Sequence, residues 1–282
     1  MVSIGVIYDF IRPEEKMLIN EARNQGVEVK LIDAKNIYFN ISNSLKNLED
    51  IYLQRCVSYF RSIHITYLLE SFKCTVINSF NTALVCGNKL FTTISLLKHG
   101  VPVPKTAISF SKSSALKVLD EIGYPSILKP VIGSWGRLIA PLNDPESSLA
   151  ILESREYLHP IYHLYYIQER VERPPRDIRS LVVDGQFICA IYRYQPPLDW
   201  RTNTARGGRA EPCPGVDELI DVSVRAAEAV NGEIVGVDCM ESRDGLVVHE
   251  VNNTVEFKNM VRVTGVNIPS AIISYLKRRA KK

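Results

Sequence analysis

The sequence predicts an α/β chain, with a parallel sheet at its N-terminal end and α+β character beyond it. Three observations carry this. Residues 3–8 (SIGVIY) form a short apolar run, a helical pattern opens at Pro13, and residues 27–32 (VEVKLI) form a second run; the three make a β-α-β unit, and such units build parallel sheets. Asp184-Gly185 and Asp244-Gly245 each separate two runs rich in β-branched residues, the signature of hairpins and so of antiparallel pairing. The 282 residues are 46% hydrophobic and 23% charged, an ordinary globular balance at a length that suits about two domains.

Each element has a local reason. Pro13 suits the first turn of a helix, Glu14 and Glu15 suit its positive end, and Gly26 stops it. Further strands fall within 44–54 and 76–78, with a helix near 58–71, and the first domain closes at about residue 88. Residues 88–99 have helical periodicity and end at Gly100; residues 101–104 (VPVP) are a linker or an extended crossing segment. Residues 113–122 read as a helix, 126–130 as a strand running into a tight glycine loop at 133–136, and 147–154 as another helix. Residues 165–171 read as a strand that ends among charges and prolines. A hairpin over 177–194, an amphipathic helix over 217–230 and a strand pair at 235–240 and 246–251 follow. Pro269 opens a last helix that ends in KRRAKK.

Composition excludes several classes. With 34 Lys and Arg against 31 Asp and Glu, the net charge of +3 is too weak to imply nucleic-acid binding. No apolar run approaches the roughly 18 residues that span a membrane, and residues 1–9 lack a signal-peptide pattern, so a cytoplasmic location is expected. None of the six cysteines (56, 74, 86, 189, 213, 239) forms a CxxC pair, and reduced, mostly buried thiols are expected. Asn40 and Asn252 match the glycosylation pattern, read as accidental in a chain without a secretory signal. P-loop, dinucleotide-fingerprint, zincin and serine-hydrolase motifs are absent, and five scattered histidines argue against a histidine metal site.

Four segments carry chemistry. In GVDCMESRDGLVVHEVNN (236–253), Glu250 and Asn252 share one strand face, and Asp238 falls beside them if the strands pair across Asp244-Gly245. Two carboxylates and an amide oxygen suit magnesium ions with open positions for phosphate; a polar sheet face is the competing reading. In SILKPVIGSWGR (126–137), Lys129 ends an apolar strand before a glycine loop, a pattern suited to phosphate, and Lys89 matches it earlier in the chain. In WRTNTARGGR (200–209), three arginines and Asn203 crowd around paired glycines, suited to carboxylate and phosphate. The segment QERVERPPRDIR (168–179) has the place of an interdomain hinge, with Arg170, Arg173 and Arg176 read as a solvated connector.

Taken in order, these segments resemble the ATP-grasp superfamily, and most closely its RimK-like branch of LysX/ArgX ligases. The residues that carry the resemblance are Tyr8-Asp9, Ile11-Arg12-Pro13, Glu15-Lys16, Gly87-Asn88-Lys89, KPVIGSWGR (129–137), Asp177-Ile178-Arg179, TNTARGG (202–208), Glu250-Val251-Asn252 and EFKN (256–259). The resemblance implies an ATP-grasp fold with an N-terminal pre-ATP-grasp domain (1–88), a central subdomain (89–170) and a C-terminal subdomain (171–282). It implies ATP and two magnesium ions as cofactors. Lys89 and Lys129 would hold the nucleotide phosphates, and Gly133, Ser134, Trp135, Gly136 and Arg137 would close over them. Gln168, Glu169, Arg170 and Val171 would line the adenine hinge, Glu172 would reach the ribose, and Asp238, Glu250 and Asn252 would bind the metals. Arg179, Asn203 and Arg206 would hold an acyl phosphate, with Arg206 on the tetrahedral oxyanion, and Glu256, Phe257, Lys258 and Asn259 would help bind the amino acid together with Asn203 and Arg206.

The partner implied is LysW, a small acidic amino-acid carrier protein, joined through its C-terminal glutamate to free glutamate or α-aminoadipate. The stiff Pro196-Pro197 segment, read as one pocket wall, and overall likeness to the ArgX branch set the expectation at glutamate. Lys258, Arg201 and Arg209 are the sequence candidates for the distal carboxylate. Neither nucleic acid nor membrane is expected as a partner, and homo-oligomerisation stays open. A nonenzymatic nucleotide or acidic-protein binding module is the alternative from another class.

Overall fold

The N-terminal β-α-β unit forms where the apolar runs place it, in a computed structural model that describes residues 2–43, 48–133, 135–197, 199–202 and 208–281. Strand β1 (Ser3–Tyr8), helix α1 (Pro13–Asn24) and strand β2 (Glu28–Asp33) lead into β3 (Ile51–Gln54), α2 (Tyr59–Ser71) and β4 (Val76–Ile77). The four strands pair in parallel in the order β2-β1-β3-β4. The start of α1 is fixed by a clasp: Glu15 accepts from the Arg12 backbone at 2.8 Å and from its guanidinium at 2.7 and 3.0 Å. Burial alone would raise the Glu15 carboxyl, but Arg12 and Arg55 outweigh it and hold it at about 2. Asp9, fully buried after β1, accepts from the N–H groups of Val57 and Ser58 at 2.8 and 3.0 Å, which sets where α2 begins.

Helices α3 (Phe80–Cys86) and α4 (Lys89–Lys98) connect to a second sheet. Its strands β5 (Thr106–Ser109), β6 (Ser126–Lys129), β7 (Ala140–Leu142) and β8 (Tyr165–Glu169) pair antiparallel in the order β5-β8-β6-β7. Helices α5 (Lys112–Ile122) and α6 (Pro145–Glu156) give Ala115, Leu119 and Leu152 to a core with Leu128, Leu142, Tyr165 and Ile167.

A third, wholly antiparallel sheet contains β9 (Arg176–Val183), β10 (Gln186–Tyr194), β11 (Ala210–Cys213), β12 (Ile234–Ser242) and β13 (Gly245–Asn252), in the order β11-β10-β9-β12-β13. Asp184 and Gly185 both have positive φ, 53° and 70°, the conformation a two-residue hairpin turn demands. Helix α7 (Asp217–Ala229) buries Leu219, Val222 and Ala226 against Val182, Val235 and Val237 of this sheet. After α8 (Lys258–Thr264), helix α9 (Ile268–Arg279) returns to α1, and Leu18, Ala22, Ile272, Ile273 and Leu276 share one core. All six cysteines are free, and four of them are buried. Among the described residues no helix is long and apolar enough to cross a membrane.

Candidate functional site

A cleft of about 610 Å³ is lined by residues of β6, β8 and the loop after β6 on one side, and by β9, β10, β12 and β13 on the other. Lys129 is the last residue of a fully buried strand. Its ammonium donates to Gln168 Oε1 at 2.5 Å; the Gln168 amide donates to Thr106 Oγ1 at 2.9 Å and to the Tyr166 hydroxyl at 3.1 Å, which lies 2.8 Å from Thr93 Oγ1. This buried chain fixes the ammonium at the cleft wall. Burial, with the like charge of Lys89, brings the Lys129 ammonium down to about 8, against the pull of Glu250.

Lys89 opens α4 beside it. The helix is capped by Asn88, which accepts from the N–H groups of Leu90 and Phe91. Lys89 Nζ donates to the Gly133 carbonyl at 2.8 Å and stands 3.6 Å from Glu250. The two lysines that the sequence paired therefore meet in one cleft, with the glycine loop between them. Trp135, Gly136 and Arg137 line the same cleft, with the Arg137 guanidinium 4.9 Å above the Trp135 ring. Arg201 ties this loop to the 199–202 segment by donating to the Gly136 carbonyl at 2.8 Å. Glu169, Arg170, Val171 and Glu172 line the cleft beyond β8, and Ile127, Ile139 and Met240 give it apolar walls.

The third sheet supplies a row of charges. Register places Arg193 opposite Asp177, Arg179 opposite Asp238, and Asp238 opposite Glu250, with Asn252 two residues on. Asp238 does fall beside Glu250 and Asn252, as the hairpin reading required. Its carboxylate accepts two bonds from Arg179, both at 2.7 Å, and lies 3.1 Å from Arg193; the Asn252 amide N is 3.4 Å away. Arg193 in turn donates to both oxygens of Asp177 at 2.7 and 2.8 Å, and the Thr202 hydroxyl donates to the same carboxylate. Burial by itself would raise the Asp238 carboxyl, but the two arginines hold it well below the usual carboxylate range. Glu250 and the Asn252 amide oxygen would offer hard oxygens to magnesium, with phosphate completing the shell. Asp238 joins such a set only by yielding an arginine contact.

Two residues of this cleft were not singled out from sequence. Arg193 sits inside an aromatic strand with no motif around it. His249 is re-aimed by a bulge: Asp238 pairs with Glu250, but Cys239 pairs with Val248, so His249 is an extra residue. It therefore lines the cleft together with its neighbour Glu250, where strict alternation would put them on opposite faces. Its side chain is largely buried and Nε2 makes no hydrogen bond among the described residues. Burial first, then the Lys129 charge, bring its imidazole down to about 4, so it is neutral at pH 7.

A second cavity of about 230 Å³ opens beside the first and shares Gly133, Trp135, Arg193 and Glu250 with it. Arg12, Tyr59, Ser62, Gly87, Arg179, Asn252 and Glu256 line it. Of the EFKN run only Glu256 reaches this wall. Phe257 is wholly buried in the core, Lys258 is exposed at the start of α8, and Asn259 lines neither cavity. Arg209 is exposed and pairs with Glu211, while Arg201 pairs with Asp199 on the cleft side. Arg173 and Arg176 are half-buried, not a solvated connector: Arg176 donates twice to Glu241 at 2.8 Å and stacks on Tyr192, and Arg170 alone is exposed. Ser134, Asn203 and Arg206 lie outside the described residues.

Gly87 lets α2 and α3 approach at this cavity. A Cβ there would stand 2.0 and 2.3 Å from ring carbons of Tyr59 and 2.9 Å from the Ala83 carbonyl oxygen. Gly87→Ala is expected to destabilise the chain by about 1–3 kcal/mol through overpacking. Urea unfolding measures this; an unchanged midpoint would show that the ring moves aside freely.

The model of the RimK-like ATP-grasp domain matches residues 86–276, and that of the LysX preATP-grasp domain matches residues 4–85. The α-aminoadipate–LysW ligase LysX of Sulfurisphaera tokodaii is 38% identical over 284 residues, covering 99% of each chain. The glutamate–LysW ligase ArgX of the same organism is 31% identical over 283 residues, covering 100% of each. The crystal structure of a RimK domain ATP-grasp protein from Sphaerobacter thermophilus has the same fold, with a TM-score of 0.79 at 21% identity over 98% of this chain and 100% of that one.

Proposed function

We propose, from the premise that the chain belongs to the LysX/ArgX family of RimK-like ATP-grasp ligases, that it joins the α-amino group of α-aminoadipate to the γ-carboxylate of the C-terminal glutamate of a LysW-type carrier. Membership makes it an ATP- and magnesium-dependent carbon–nitrogen ligase, and the nonenzymatic alternative falls. The observation that carries the reading is the meeting of Lys89 and Lys129 with Glu250 in one cleft, with Asn252 on the adjoining cavity that shares Glu250.

The carrier carboxylate attacks the γ-phosphorus of ATP and ADP leaves; the amine then attacks the acyl carbon, phosphate leaves, and the nitrogen gives up its proton. Such chemistry needs positioned charge and little covalent help from the protein. Lys89 and Lys129 hold phosphate oxygens, with the glycine loop over them. The 168–172 stretch, with the apolar walls beside it, receives the adenine and ribose. Asp238, Glu250 and Asn252 would hold two magnesium ions, which when bound neutralise the phosphates. Arg179, and with it Asn203 and Arg206 by family likeness, faces the acyl phosphate. The three-part division at residues 88 and 170 and a cytoplasmic location belong to the same proposal.

α-Aminoadipate replaces the glutamate expected from sequence. Identity is higher to the aminoadipate ligase than to the glutamate ligase, and the Pro196-Pro197 segment behind the glutamate expectation does not line the second cavity. The test is a competition. Carrier, enzyme, ATP and magnesium are incubated with equal amounts of both amino acids, and the adducts are resolved by mass, one methylene apart (about 14 Da). The heavier adduct is expected to predominate; a majority of the lighter one restores glutamate, and no adduct sinks the carrier reading.

A further inference from the structure

We infer that Arg12 and Ser62, both from the N-terminal unit, form the receptor for the side-chain carboxylate of the amino acid in the second cavity. The inference rests on the ligase reading for the identity of the ligand, and its geometry comes from the cavity. The residues that this cavity shares with the nucleotide cleft mark its phosphate end, where the amine must reach the acyl carbon. Arg12 and Ser62 line the second cavity alone.

Each carries an unused donor. Arg12 spends Nε and Nη2 on Glu15 and on the Arg55 carbonyl. Its Nη1 makes no hydrogen bond among the described residues, and Glu256, at 3.9 Å, is too far to accept one. The Ser62 hydroxyl is buried, at 4% exposure for the residue, and has no partner among the described residues. The other cations of the cavity, Arg179 and Arg193, stand against Asp238 and Asp177, which line the nucleotide cleft, and so belong to the phosphate end of the cavity. A carboxylate can satisfy a guanidinium N–H and a hydroxyl together, and such charge-assisted bonds are the strong ones. The clasp to Glu15 holds the guanidinium, and Asp9 fixes the start of α2 and with it Ser62. Both residues are therefore held in place at the cavity wall.

The test measures binding to the full chain by titration calorimetry, with no carrier present. The probes are α-aminoadipate and 2-aminohexanoate, which has a similar length but no side-chain carboxylate. The unaltered chain is expected to prefer the dicarboxylate by about 10- to 100-fold, the worth of a charge-assisted bond. Arg12→Gln should bring the ratio to about one. Ser62→Ala, which leaves the Glu15 clasp intact, should lower it about fivefold and decides the matter if Arg12→Gln does not fold. Arg12→Lys should restore part of the preference that Arg12→Gln loses. A ratio unchanged in Ser62→Ala, or in folded Arg12→Gln, overturns the assignment. Because no carrier is involved, absence of a carrier adduct would defeat the ligase reading while leaving this ratio to stand or fall by itself.

Discussion

Replacing Glu250 with glutamine is expected to lower turnover by about a thousandfold or more while the chain stays folded. Glu250 stands directly opposite Asp238 in the ladder and 3.6 Å from Lys89. With 29% of its side chain exposed, it is not locked into a buried network, so its loss costs little stability. Its charge is spent on the phosphate end of the cleft, where electrostatic groups carry the largest share of rate enhancement. Initial rates of ADP formation across a range of magnesium concentrations, together with the unfolding midpoint, check this. A rate within tenfold of the parent would mean that the carboxylate serves neither metal nor phosphate.

Lys129→Met should weaken nucleotide binding and lower turnover by about two to three orders of magnitude. It should also remove a pH dependence. Burial, and then Lys89, bring the Lys129 ammonium to about 8 in the free protein. The charged form that attracts phosphate is present below that pH and lost above it, so ATP affinity of the parent is expected to fall as pH rises from about 7.5 to 9. The variant should show a flat profile at a lower level. Equal slopes in both would place the titrating group elsewhere, and a parent affinity that rises with pH would reverse the sign of the argument.

Much of the architecture was legible because it is written locally. Pro13 with two following acids, Gly26 and the Asp184-Gly185 turn act through backbone preferences that neighbours do not alter, and α1 and the β9–β10 hairpin formed there. Lys129 was legible as a lysine at the end of an apolar strand, and the hairpin brought Asp238 near Glu250, but the pairing itself is set by the bulge, since the turn register alone puts Asp238 opposite His249. Short elements were not legible: α3, β5, β7, β11 and α8 span three to seven residues each, and tertiary packing rather than periodicity decides such pieces. Phe257 is the counterpart error. It stands in a motif of functional appearance, yet its fully buried ring lies beneath the Arg55 guanidinium and serves packing. Arg12 failed to stand out as a binding residue because its free N–H is defined only by what Glu15 and the Arg55 carbonyl already occupy.

The extra residue in β13 has a meaning for how such a sheet can change over time. His249 is inserted between two positions whose partners, Cys239 and Asp238, remain adjacent on the facing strand. Removing it would leave an unbroken ladder with Glu250 still opposite Asp238, so an insertion at this place adds a side chain to the cleft without changing any other pair. Sheets ordinarily penalise insertions, since a one-residue slip turns every later side chain to the wrong face. A bulge confines the disturbance to one residue. It offers a lineage a single-codon step by which a neutral imidazole enters a charged site while the surrounding salt bridges keep their partners.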